Sequence, residues 1–105
     1  MKKSTLDLTA IKMQSLINRE QDYEYPQFLV ELRKVLGRTK QAVTYELDWD
    51  YDELWRHETG KAAKKIDKEK IFELSEYYGI DAGILERKFR EWSSVKKPTF
   101  SSRGV

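Results

Sequence analysis

Thr39-Lys40-Gln41-Ala42-Val43-Thr44-Tyr45-Glu46-Leu47-Asp48-Trp49-Asp50-Tyr51-Asp52-Glu53-Leu54-Trp55-Arg56-His57-Glu58-Thr59-Gly60-Lys61 is the stretch on which the fold turns. A threonine hydroxyl accepts a hydrogen bond from the open amides of a following helix, so Thr39 predicts a short helix over Lys40 to Leu47. Asp48-Trp49-Asp50 reads as a turn, and aspartate at Asp48 tolerates the left-handed backbone that a tight turn requires. Asp50, or Asp48 if the turn is shorter, then caps a second helix from about Tyr51 to Glu58 that ends before Gly60. Leu54 is the clearest core residue of that helix.

Working upstream, Leu6 to Glu20 places Ala10, Met13 and Ile17 at helical spacing, with Leu6, Ile11 and Leu16 alongside, which predicts an amphipathic helix. Pro26 suits a first helical turn, and the residue before a proline is disfavoured in the helical region. A new helix therefore begins at Pro26, with Phe28, Leu32 and Leu36 on one face, Leu29 and Val35 beside them, and Gly37 as its stop. Downstream, Lys61 to Lys65 reads as a loop. Asp67 caps a helix over Lys68 to Tyr78 whose apolar set is Ile71, Phe72, Leu74 and Tyr78, and Gly79 ends it. A last helix, roughly Ala82 to Trp92, sets Leu85, Phe89 and Trp92 on one side. Val95 to Val105 contains Pro98 and Gly104 and no acidic residue, and reads as a mobile basic tail. Leu32, Leu47, Leu54, Leu74 and Leu85 are expected in one core. No segment shows the strict alternation of a strand and no repeat is visible, so the expectation is an all-α chain.

The chain has 105 residues, enough for one hydrophobic core. Hydrophobic residues are 39% and charged residues 36%, a globular composition. Without cysteine, and with His57 as the one histidine, disulfides and the usual Cys/His zinc sites are excluded, and no cofactor is implied. Apolar runs such as Phe28-Leu29-Val30 are too short for a membrane span or a secretory signal, which makes a cytoplasmic setting the expectation. The net charge of +2 is unevenly spread. Residues 26–47 carry four basic and two acidic groups, and residues 59–70 carry five lysines against Asp67 and Glu69. Between them Asp48, Asp50, Asp52, Glu53 and Glu58 face only Arg56.

From Arg38 to Lys61 the sequence resembles the helix-turn-helix of phage repressors and Xre-type regulators, the lambda repressor-like family. Its members have a capped helix ending in an apolar residue, a tight turn, and a second helix closed by glutamate, a polar residue, glycine and often lysine. Thr39, Leu47, Leu54, Glu58, Gly60 and Lys61 occupy those positions. Ile66 to Leu74 and Tyr78 to Leu85 resemble the family's fourth helix, its glycine-terminated end and its fifth helix, so the likeness covers about Phe28 to Phe89. Thr44 and Asp48 stand where the family usually has alanine and glycine. The resemblance implies a five-helix lambda-repressor-like helix-turn-helix domain over 26–92, preceded by an N-terminal helical extension over 1–25 and followed by a flexible tail over 93–105. It also implies a phage-repressor type of transcription regulator bound to double-stranded DNA, in most members as a homodimer.

The same resemblance puts the base-reading positions at Tyr51, Asp52 and Trp55, with Arg56 beside them. Lys40 and Gln41 fall where members touch the DNA backbone, and Lys61, Lys64 and Lys65 follow the second helix as further phosphate contacts or as a solvated loop. Aspartate accepts only from a cytosine amino group and is repelled by phosphate. Arg56 can instead pair with Asp52 at helical spacing four. The acidic, aromatic character of this helix also fits a protein-binding module meeting a basic partner, such as an antitoxin, a phage-encoded inhibitor or an adaptor, through Tyr51, Asp52, Glu53 and Trp55. Trp49 is expected in the core, and Trp55 either there or in an interface. For an enzyme the sequence supplies no partner set: His57 has acidic neighbours but no nucleophile, phosphate loop or ligand spacing, and reads as a partly buried helix residue.

Overall fold

The computed structural model describes the backbone of residues 2–61 and 67–95 and the side chains within 8–61 and 67–94. Every regular element among them is helical: α1 (Lys2–Asn18), a 3-10 turn at Glu20–Asp22, α2 (Tyr25–Leu36), α3 (Lys40–Leu47), α4 (Tyr51–Thr59), α5 (Lys68–Tyr78) and α6 (Ala82–Val95). No helix among the described residues is long and apolar enough to cross a membrane.

The boundaries follow from local chemistry. Thr39 accepts from the Ala42 amide at 3.1 Å and Asp67 from the Lys70 amide at 3.2 Å, each satisfying an amide that the first helical turn leaves open. Asp50 has the extended backbone of a cap, but its carboxylate makes no capping bond, so the expected side-chain cap of α4 is absent at both Asp50 and the left-handed Asp48. Gly37 ends α2 at φ 67° and Gly79 ends α5 at φ 74°, where a Cβ would be strained.

The chain divides into two compact units, residues 1–61 and 62–105. In the first, α2 packs against α1 and α4, and α3 packs against α4. Its buried apolar side chains are Leu16, Tyr25, Phe28, Leu29, Leu32, Val43 and Leu54. In the second, α5 packs against α6 and Ile71, Leu74, Tyr78, Leu85 and Phe89 are buried. Of the five leucines expected in one core, Leu32 and Leu54 fall in the first unit and Leu74 and Leu85 in the second, while Leu47 is half-buried.

Several facial assignments differ from the sequence reading. On α1, Leu16 is buried and Met13 and Ile17 are half-buried, but Ala10 and Ile11 are exposed, because the face turned to α2 is centred on Leu16. Phe72 is exposed because Ile71, Leu74, Ser75 and Tyr78 already form the i, i+3, i+4, i+7 stripe of α5. On α2 the stripe begins at Tyr25 and runs through Phe28, Leu29 and Leu32, leaving Val35 and Leu36 half-buried. α6 continues to Val95, three residues into the stretch 93–105 that reads as tail. The rest of that stretch, and 62–66 of the expected lysine loop, lie outside the described residues.

Candidate functional site

The turn between α3 and α4 is built on an aspartate in the left-handed region, Asp48 at φ 61° and ψ 44°. The Trp49 amide reaches back to the Thr44 carbonyl at 2.9 Å, which closes the last turn of α3 and sets the direction of the chain into α4. Thr44 itself is buried, and its hydroxyl donates to the Lys40 carbonyl at 2.9 Å and the Gln41 carbonyl at 3.1 Å. A threonine is thereby accepted where α3 packs closely, because its one polar group is satisfied inside its own helix.

The inner face of α4 is consumed by the fold. Leu54 is fully buried. Glu58, with 1% of its side chain exposed, receives two hydrogen bonds from Arg33 of α2, Nε to Oε2 at 2.8 Å and Nη2 to Oε1 at 2.9 Å. The third guanidinium nitrogen of Arg33 donates to the Arg38 carbonyl at 3.0 Å, so one side chain ties α4 to the end of α2. His57 is buried as well: Nδ1 lies 2.8 Å from the Tyr25 hydroxyl and Nε2 lies 3.3 Å from Oε2 of Glu53. An ionised carboxylate can only accept, so Nε2 donates to Glu53. The Trp49 ring stands 5.7 Å from the imidazole, centroid to centroid, and is half-buried.

The outer face of α4 is left over. Tyr51, Asp52, Trp55 and Arg56 are all exposed, and among the described residues none of their side chains takes a hydrogen bond or ion pair. The pairing of Arg56 with Asp52 at spacing four, allowed by the sequence, does not form; the one carboxylate of α4's first turn that is engaged is Glu53, by His57. Trp55 is 38% exposed, which assigns it to the surface and not to the core. Gln41 and Lys61 are exposed and Lys40 half-buried, again without an ion pair among the described residues. Seven of the nine candidate residues are thus side chains that the packing does not use; Lys64 and Lys65 lie outside the described residues. Comparison with family models, with curated proteins and with solved structures finds no match to this chain.

Two features escaped the sequence reading. Tyr45, the most exposed large side chain of α3 at 86%, occupies an ordinary helical position with no motif to mark it. The Tyr25–His57 bond joins residues 32 apart, a separation at which local spacing carries no signal.

Among the described residues no group of three or more His, Cys, Asp or Glu side chains is arranged to hold a metal ion.

Proposed function

We propose that the protein is a DNA-binding helix-turn-helix regulator of the lambda repressor-like type that inserts α4 into a major groove, with α1 as an addition before that domain. The observation that carries the proposal is the division of α4: Leu54, His57 and Glu58 hold it to the domain, while Tyr51, Asp52, Trp55 and Arg56 stay exposed and unengaged. In the general docking geometry of this motif the second helix presents its N-terminal residues to base edges, and flanking side chains hold phosphates. Arg56, Lys40, Gln41 and Lys61 suit the second task, with Lys64 and Lys65 beyond them.

The charge balance shapes the expected binding. Asp48, Asp50 and Asp52 oppose phosphate, so affinity depends on the cations and falls steeply with salt. The test is duplex binding by the full chain across a salt series. Replacing Lys40 and Lys61 by alanine is expected to weaken binding to all sequences alike and to flatten the logarithmic salt slope by roughly one unit per lost contact. Absence of duplex binding at low salt would overturn the proposal.

One observation favours a second reading. Tyr45, Tyr51 and Trp55 are exposed on α3 and α4 together with the carboxylates of Asp48, Asp50 and Asp52, none of which has an ion pair among the described residues. Aromatic anchors with low entropic cost beside free negative charge suit a basic protein partner. In that case Asp52→Asn weakens capture of a basic partner and DNA affinity is negligible.

A further inference from the structure

Within the DNA-binding reading, on which this step rests, the chemistry of α4 narrows the substrate. We infer that Asp52 is the base-discriminating residue of α4 and that it selects a cytosine, by accepting a hydrogen bond from the cytosine amino group in the major groove.

Asp52 is the second residue of α4, exposed, and among the described residues its carboxylate takes no hydrogen bond. Neither does Arg56, one turn further on the same face, neutralise it. The carboxylate is therefore presented outward as a pure acceptor. Of the four bases, guanine and thymine offer acceptors at their major-groove edge, which repel a carboxylate. Adenine offers an amino group beside the N7 acceptor, a mixed edge that suits an amide better than a carboxylate. Cytosine alone offers a donor without an adjacent acceptor of its own.

Asp48 and Asp50 add like charge close by, which lowers affinity for every sequence and leaves the cytosine contact as the term that separates them. An acidic helix is then a device for rejection: it binds weakly everywhere and least weakly where one amino group is correctly placed.

The test is selection of duplexes from a random library by the full chain and by Asp52→Asn and Asp52→Ala variants, with circular dichroism confirming that all three are folded. The expected result is one position at which the unaltered chain prefers cytosine by about 5- to 100-fold. Asp52→Asn moves that preference to adenine and raises affinity for unselected duplex at low salt; Asp52→Ala abolishes it without creating another. A selected site with no cytosine preference, or one unchanged by both substitutions, overturns the inference while leaving the DNA-binding reading intact. If none of the three proteins retains duplex at low salt, both fall.

Discussion

His57 is the chain's one histidine, and both of its ring nitrogens are engaged, one by a residue of another helix. Tyr25 is fully buried at the start of α2, and its hydroxyl at 2.8 Å from Nδ1 makes a buried polar contact between two helices. Tyr25→Phe removes that bond and is expected to cost about 1–2 kcal/mol, measured by urea denaturation, with the helix content retained. Asp48 is the second residue with a distinct cost, being the one non-glycine position of positive φ among the described residues. Replacing it with glycine relieves backbone strain and is expected to stabilise by about 0.5–1 kcal/mol, whereas alanine, which lacks aspartate's tolerance of this region, destabilises. Equal melting temperatures for the two variants would contradict the assignment of strain to this turn.

At the scale of elements, α2 and α4 are joined by a bidentate pair that is almost wholly removed from water on the Glu58 side, with 15% of the Arg33 side chain exposed. Such a pair is not a large net source of stability, because desolvation offsets attraction, but breaking it is costly. Glu58→Ala is expected to lower unfolding free energy by about 3 kcal/mol, and the joint change of Arg33 to Met with Glu58 to Leu by much less. A double-mutant cycle with additive losses would show that the pair does not act as a unit. In the second unit, α6 carries an exposed pair instead: Arg90 donates to Glu86 at 2.7 Å. That hydrogen bond, opposed by desolvation and aided to a lesser degree by attraction from Lys68 and Arg90, holds the Glu86 carboxyl below its ordinary value. A lowered folded-state value means that the contribution is present above the ordinary carboxylate range and is lost as pH falls through the folded value. Glu86→Gln is accordingly expected to depress the melting temperature slightly near neutral pH and not at all in acid, which thermal unfolding at the two conditions checks.

Across the whole molecule, charge is partitioned: residues 1–61 carry ten basic and eleven acidic groups, and residues 62–105 carry ten basic and seven acidic. A regulator of the proposed kind reads two half-sites as a homodimer, since a single module buries little DNA surface. Two apolar surfaces are candidates for that contact, the Leu6 to Ile17 face of the N-terminal helix and the last helix through Phe89 and Trp92. Phe89 is withdrawn from the second: it is 2% exposed and packs edge-to-face on Trp92. Leu8 and Ile11, one helical turn apart on α1, remain exposed and fit the first. Sedimentation equilibrium is expected to show a dimer that Ile11→Asp converts to a monomer; a monomer at high protein concentration in the unaltered chain would remove this part of the proposal.

What the sequence determined by itself is whatever depends on a few neighbouring residues. Thr39 and Asp67 cap helices because their acceptors sit within three residues of the open amides, and Gly37, Gly60 and Gly79 stop helices because the next backbone conformation is left-handed. The bounds of α3 and α5, the position of the turn and the surface residues Tyr51, Asp52 and Arg56 were legible for the same reason. Facing and pairing belonged to the tertiary structure. Spacing allowed Phe72 a place inside and Arg56 a partner in Asp52, and neither occurs. Glu58 instead finds Arg33 across 25 residues and His57 finds Tyr25 across 32, because a charge or an imidazole entering the interior must be matched by whichever group the packing of distant helices brings within hydrogen-bonding reach. The side chains left outside that matching, and with them the candidate site, could be identified only after the inner face of α4 had been accounted for.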